Sequence, residues 1–178
     1  MPFVPTSYAD SPAAYVRALI ALLGDRDPVA VQRTTPSALR EAVAGLTEAQ
    51  ARRPEQPDAW SIVQVVQHLV DSELVYGYRM RVIVAEDGPT LAGYDQDAWA
   101  EAFGTDGISL TEALDDFAAL RTLNLRWLAR QLPKTWARTG QHAERGTESV
   151  GQIVQLLAAH DLVHLRQVAR IRGEVATP

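Results

Sequence analysis

Ser61-Ile62-Val63-Gln64-Val65-Val66-Gln67-His68-Leu69-Val70-Asp71-Ser72-Glu73-Leu74-Val75-Tyr76 is the stretch whose reading decides the fold. Ser61 followed three residues later by Gln64 is a capping box, in which each side chain satisfies a backbone N–H that the first helical turn leaves open. Behind it Ile62, Val65, Leu69, Ser72, Tyr76 and Ile83 recur near the helical period, a buried stripe that predicts a long amphipathic helix fading near Asp87-Gly88-Pro89. His68 lies beside that stripe.

Outward from this helix the same punctuation repeats. Ser109 with Glu112 and Ser149 with Gln152 are further capping boxes, predicting helices through Gln131 and to about Arg172, with Gly173 as the stop. Ser11-Pro12 and Thr35-Pro36 pair a capping hydroxyl with a proline suited to the first helical position. They predict helical runs over 13–23 and 39–44, as one interrupted helix or two. Arg53-Pro54-Glu55-Gln56-Pro57 reads as a loop. Residues 88–107 carry four glycines and at most a short helix around Asp97–Ala102, and Trp136 to Gly146 reads as a polar connection. No strand alternation is evident. Four long helices with a connection at 87–108 long enough to run the length of the molecule predict an all-α four-helix bundle with at least one crossover.

At 178 residues the chain suits one domain over 1–178. With no cysteine, disulfides, thiolate metal sites and a cysteine nucleophile are excluded, so any metal must be held by His, Asp or Glu. A net charge of -5 argues against nucleic acid or anionic membrane as a partner. The start Met1-Pro2-Phe3-Val4-Pro5 does not read as a signal peptide. No apolar run approaches the roughly 18 residues a membrane span requires. A soluble cytoplasmic protein is expected.

The four histidines can be read one by one. His160 and His164, four apart in the last predicted helix, project from one face that otherwise carries Ile153, Leu157, Val168 and Ile171. His68 is aimed inward from a second helix. A single inward histidine is usually an ordinary core residue; three need partners, and one shared ion satisfies them all. Neutral imidazole suits Zn²⁺, Ni²⁺, Cu²⁺ or Fe²⁺, and three protein ligands with an open fourth position is the catalytic rather than the structural zinc pattern. His160-Asp161-Leu162-Val163-His164 approaches H-E-x-x-H, but Asp161 is one methylene short of the general base of that motif. Asp161 and Asp71 are candidates to orient an imidazole, each weighed against a solvated carboxylate. His142 reads as a surface loop histidine, and the four tryptophans as packing residues.

Two of these segments carry a family resemblance. Trp60 to Glu73 resembles the W-S-x-x-(E/Q)-x-x-x-H-L-x-D-x-E segment of the DinB/YfiT-like superfamily, and Ala159 to Gln167 resembles its second signature, H-D-x-x-H-x-x-Q. Gly140-Gln141-His142 is also similar, and the resemblance spans roughly residues 35–172. It implies an up-down-down-up bundle, often a homodimer, with the metal on His68, His160 and His164. Similar proteins include thiol-dependent S-transferases and mycothiol-dependent isomerases.

The expected ion is Zn²⁺ or Ni²⁺. The leading expectation is a metal-dependent transferase joining a low-molecular-weight thiol, which a chain without cysteine must take from solution, to an electrophilic small molecule. A metal-assisted hydrolase is the alternative. The non-enzymatic reading is a stress-associated protein with a structural ion, which calls for a fourth protein ligand, His142 or Glu73 being the candidates.

Overall fold

The caps read from the sequence start the helices that carry the fold. In the computed structural model, which describes residues 11–175, Ser61 and Gln64 exchange side-chain bonds with each other's backbone N–H at the start of helix α4 (Ile62–Ala85). Ser109 and Glu112 do the same for α6 (Leu110–Leu128), and Ser149 and Gln152 for α7 (Val150–Val175). Ser11 caps α1 (Pro12–Ala21). The short helix of the long connection, α5, spans Gln96–Phe103. Met1–Pro5 lies outside the described residues.

Four differences from the expected elements have physical causes. Helix α2 runs Pro28–Val43 and is capped by Asp27, so Pro36 lies inside it rather than at its start. A four-residue helix, α3 (Glu48–Ala51), opens on a further capping box, Thr47 with Gln50. Helix α7 continues through Gly173. The stretch read as a polar connection forms a 3-10 turn (Pro133–Ala137) and two antiparallel strands, β2 (Thr139–His142) and β3 (Gly146–Ser149). Their hairpin turns at Gly146, whose positive φ of 78° favours a residue without a Cβ. Strand β1 (Thr90–Leu91), from the α4–α6 connection, adds to β2 in parallel, pairing Leu91 with His142.

Helices α2, α4, α6 and α7 form the bundle, each packed on two others: α2 on α7 and α6, α4 on α6 and α7. Their directions follow from end contacts. The Arg172 guanidinium, near the end of α7, donates to the carbonyls of Ala42 and Ala44 at the end of α2, so these two helices are parallel. Ile62 and Val63 at the start of α4 pack with Val43, Ile171 and Val175. Leu110 N–H, at the start of α6, donates to Glu48 at the same end. The order is therefore up-down-down-up, with the 86–109 connection returning along the full bundle.

Two apolar clusters fill the interior. One, with Leu39, Val66, Leu114, Phe117 and Val168, occupies the α3 end; the other, with Leu19, Met80, Ile83, Leu128 and Leu157, occupies the end carrying the sheet. Between them the four helices contribute a layer of buried polar side chains.

Candidate metal centre

That polar layer has two halves. In the first, Arg121 is almost fully buried and donates to both carboxylates that face it: Nε to Glu73 Oε1 at 2.9 Å, Nη1 to Asp161 Oδ2 at 2.6 Å, and Nη2 to Asp161 Oδ1 at 2.9 Å. Burial alone would lower the guanidinium pKa, but Asp161 and then Glu73 raise it above its ordinary value. Asn124 donates to Glu73 Oε2 and Thr35 to Asp161 Oδ2. A buried charge is tolerated when its partners are present and hydrogen-bonded, and here every helix of the bundle supplies one.

In the second half the three predicted histidines come together. His68 Nε2 and His164 Nε2 each lie 3.0 Å from His160 Nε2. His68 is buried, and His160 and His164 are half-buried. Burial, then the His164 ring, holds the His68 pKa down to about 3. Burial, then His164 and His68, pushes His160 well down, and burial lowers His164 as well. The rings are thus neutral, the form in which imidazole binds metal. His164 Nδ1 lies 2.7 Å from Gln167 Oε1, which accepts the ring proton there and leaves the Nε2 lone pair facing the cluster.

With all three rings protonated on Nδ1, as His164 is, the three Nε2 lone pairs would face one another and repel unless a cation lay among them. Tetrahedral zinc at its usual 2.0–2.1 Å from each nitrogen would set neighbouring ligand atoms on the order of 3.3 Å apart, close to what is found. The donor set therefore fits a divalent ion. Among the described residues this trio is the grouping able to hold one.

The other sequence candidates fall elsewhere. Asp161 is neither a solvated carboxylate nor bonded to an imidazole, being committed to Arg121 and Thr35. Asp71 is buried at the edge of the layer and accepts from Gln67 Nε2. Glu73 serves Arg121 and Asn124, so it is not a fourth ligand. Trp60 lies against His68, with ring centroids 5.1 Å apart.

His142 corrects the surface reading. It is buried on β2, where its Nδ1 accepts from the backbone N–H groups of Glu144 and Arg145, and it is not part of the histidine trio. With His68 and His160 it lines a cavity of about 730 Å³, walled also by Tyr15, Ser72, Tyr76, Arg79 and Tyr94. Ser72 and Tyr94 are hydrogen-bonded across it at 3.2 Å.

The sequence reading missed Arg121 and Arg79, both buried. Arg121 had a visible signal: it falls on the inward stripe of α6 between Phe117 and Asn124.

Comparison with known proteins agrees with this architecture. Residues 33–168 match the family model of the DinB superfamily. A protein of Geobacillus kaustophilus is 32% identical over 148 residues, covering 81% of this chain and 82% of its own. One of Bacillus subtilis, YfiT, is 28% identical over 156 residues, covering 82% and 84%. Both carry the name "putative metal-dependent hydrolase". The solved structure of Bacillus subtilis YfiT, titled as "a probable metal-dependent hydrolase with an unusual four-helix bundle topology", superposes with a TM-score of 0.77. It does so at 21% identity, covering 84% of this chain and 86% of that one. With three quarters of its length on the family model, this chain belongs to the DinB superfamily.

Proposed function

We propose that this chain is a metal-dependent enzyme in which His68, His160 and His164 hold one Zn²⁺ or Ni²⁺, and which joins a low-molecular-weight thiol to an electrophilic small molecule. The observation that carries the reading is the incompleteness of the donor set. Three histidines face one another, no fourth His, Asp or Glu joins them among the described residues, and two of the three open onto a cavity of about 730 Å³. A structural ion is normally closed by four protein ligands.

A divalent ion bound there supplies Lewis acidity, lowering the pKa of a thiol or water held beside it. The chain's own residues do the rest. Gln167 fixes the tautomer of His164, and the Trp60 ring packs against His68. A cavity of several hundred Å³ suits a small organic molecule.

The thiol reading is favoured over hydrolysis by the fate of Asp161. Asp161, which stands where the H-E-x-x-H motif has its general base, is locked to Arg121, so water would have to ionise beside the ion without it. A thiol, with an ordinary pKa of about 8.5 against about 15.7 for water, gives its proton to solvent more readily. Hydrolysis is the second reading, supported by the names of the relatives.

The test is elemental analysis of the purified protein and of His68→Ala, His160→Ala and His164→Ala, beside a screen of thiols with electrophilic acceptors and of ester and amide substrates. One ion per chain, lost in each variant, with thiol conjugation by the wild type, is the expected result. Ion content unchanged by loss of all three histidines would overturn the site. Ester or amide cleavage without thiol conjugation would replace the first reading with the second.

A further inference from the structure

Arg79 lies on the same face of α4 as His68, eleven residues on. At helical geometry that is about 16 Å along the axis and about 20° around it, so both side chains reach the same cavity from opposite ends. Ser72 and Tyr76 line it between them.

Arg79 is only 2% exposed, yet among the described residues no carboxylate forms a salt bridge with it. Its Nη2 donates to the Ala92 carbonyl, and its guanidinium packs over the Tyr76 ring. Nε and Nη1 have no hydrogen-bond partner among the described residues. The nearby buried carboxylate, Glu148, is held by Arg145 in a two-point pair at 2.6 and 2.9 Å. His142 adds to the same wall. Since its Nδ1 accepts two backbone N–H groups, the proton of the neutral ring sits on Nε2, and that N–H too is buried without a partner. Burial, then Arg145 and Arg79, lowers the His142 pKa to about 4, against the opposing pull of Glu148 and Glu144. The carboxylates that also line the cavity, Asp95, Asp97 and Glu144, are all exposed at its rim, where water screens them.

A buried guanidinium with spare N–H groups is costly unless something accepts from them. We infer that Arg79, with His142 Nε2–H beside it, is a subsite for an oxyanion, the carboxylate of an elongated small-molecule substrate whose other end reacts at the histidine trio. This rests on the proposed function and assigns the substrate's class: a small organic acid rather than a neutral molecule.

The experiment is calorimetric titration of the purified protein with succinate and, separately, with inorganic phosphate, repeated on Arg79→Gln and Arg79→Lys. Saturable binding by the wild type, weakened roughly tenfold or more in Arg79→Gln and less in Arg79→Lys, is expected. Which anion binds tells a carboxylate from a phosphate. Binding of neither, or equal binding by Arg79→Gln, would overturn the subsite. If Arg79→Gln does not fold, nitrogen NMR of wild-type His142 decides: its Nε2 signal should move as succinate saturates, and a signal that stays fixed would overturn the inference. Metal content of the same samples separates the two readings. Arg79-dependent succinate binding in protein that takes up no ion would keep the Arg79 anion subsite and remove the metal centre.

Discussion

Arg121 makes the hydrogen bond that Pro36 cannot. Pro36 has no N–H to reach the Gln32 carbonyl one turn back, and that carbonyl accepts instead from Arg121 Nη1 at 2.8 Å. The neighbouring Thr35 hydroxyl reaches Asp161, the other partner of the same guanidinium. A proline that would ordinarily break a helix thus opens α2 toward the buried charge layer.

Arg121→Leu should accordingly strand Glu73 and Asp161 without their cation and cost about 3–5 kcal/mol. Denaturant titration of the variant against wild type checks this. Loss of less than about 1 kcal/mol would show that the layer does not depend on its arginine.

Gln167→Leu should remove the acceptor that holds the His164 proton on Nδ1. Metal affinity is expected to fall roughly 10- to 100-fold with the fold intact. Competition against a chromophoric chelator measures it, with circular dichroism as the control.

Gly77→Ala tests how closely α4 and α6 approach. A Cβ at residue 77 would stand 2.6 Å from Asn124 Oδ1 and 2.7 Å from its Nδ2, and Asn124 is tied to Glu73. Destabilisation of about 1–3 kcal/mol is expected, seen as a lower Tm.

Acid should destabilise the metal-free protein in a defined window. Folded His142 and His68 are held down to about 4 and about 3, chiefly by burial, against an ordinary value of 6.5. Between these limits the unfolded chain binds more protons, so stability is full above pH 6.5 and falls as pH drops toward 3. In His142→Asn the fall between pH 6.5 and 4 should be shallower. Calorimetric Tm against pH reads both slopes.

Much of the site was legible because it obeys helical spacing. His160 and His164 share a face by being four apart, His68 stands on an inward stripe, and three capping boxes fix where the helices begin. The sheet was not legible, because Thr139-Gly140-Gln141-His142 is too short and too polar to show alternation; it pairs with the equally polar β3 across the hairpin and, on its other edge, with β1 some fifty residues away. Gly140 makes that pairing possible, since a Cβ there would meet the Pro89 carbonyl at 3.0 Å. His142 looked like a surface residue for the same reason. Asp161 and Glu73 were hidden differently. Beside the histidines in sequence, Glu73 reads as a spare ligand and Asp161 as an orienting or solvated carboxylate, because the counter-charge that claims both lies on α6.

The small sheet divides the molecule's labour. The histidine trio is carried wholly by α4 and α7, whereas β1 and β2 bring the two irregular connections together as one wall of the cavity. Insertions and substitutions are tolerated best in such connections. Rewriting residues 86–109 and 129–149 would therefore reshape that wall of the cavity, while the histidine trio and Arg79, all carried on helices, stay in place.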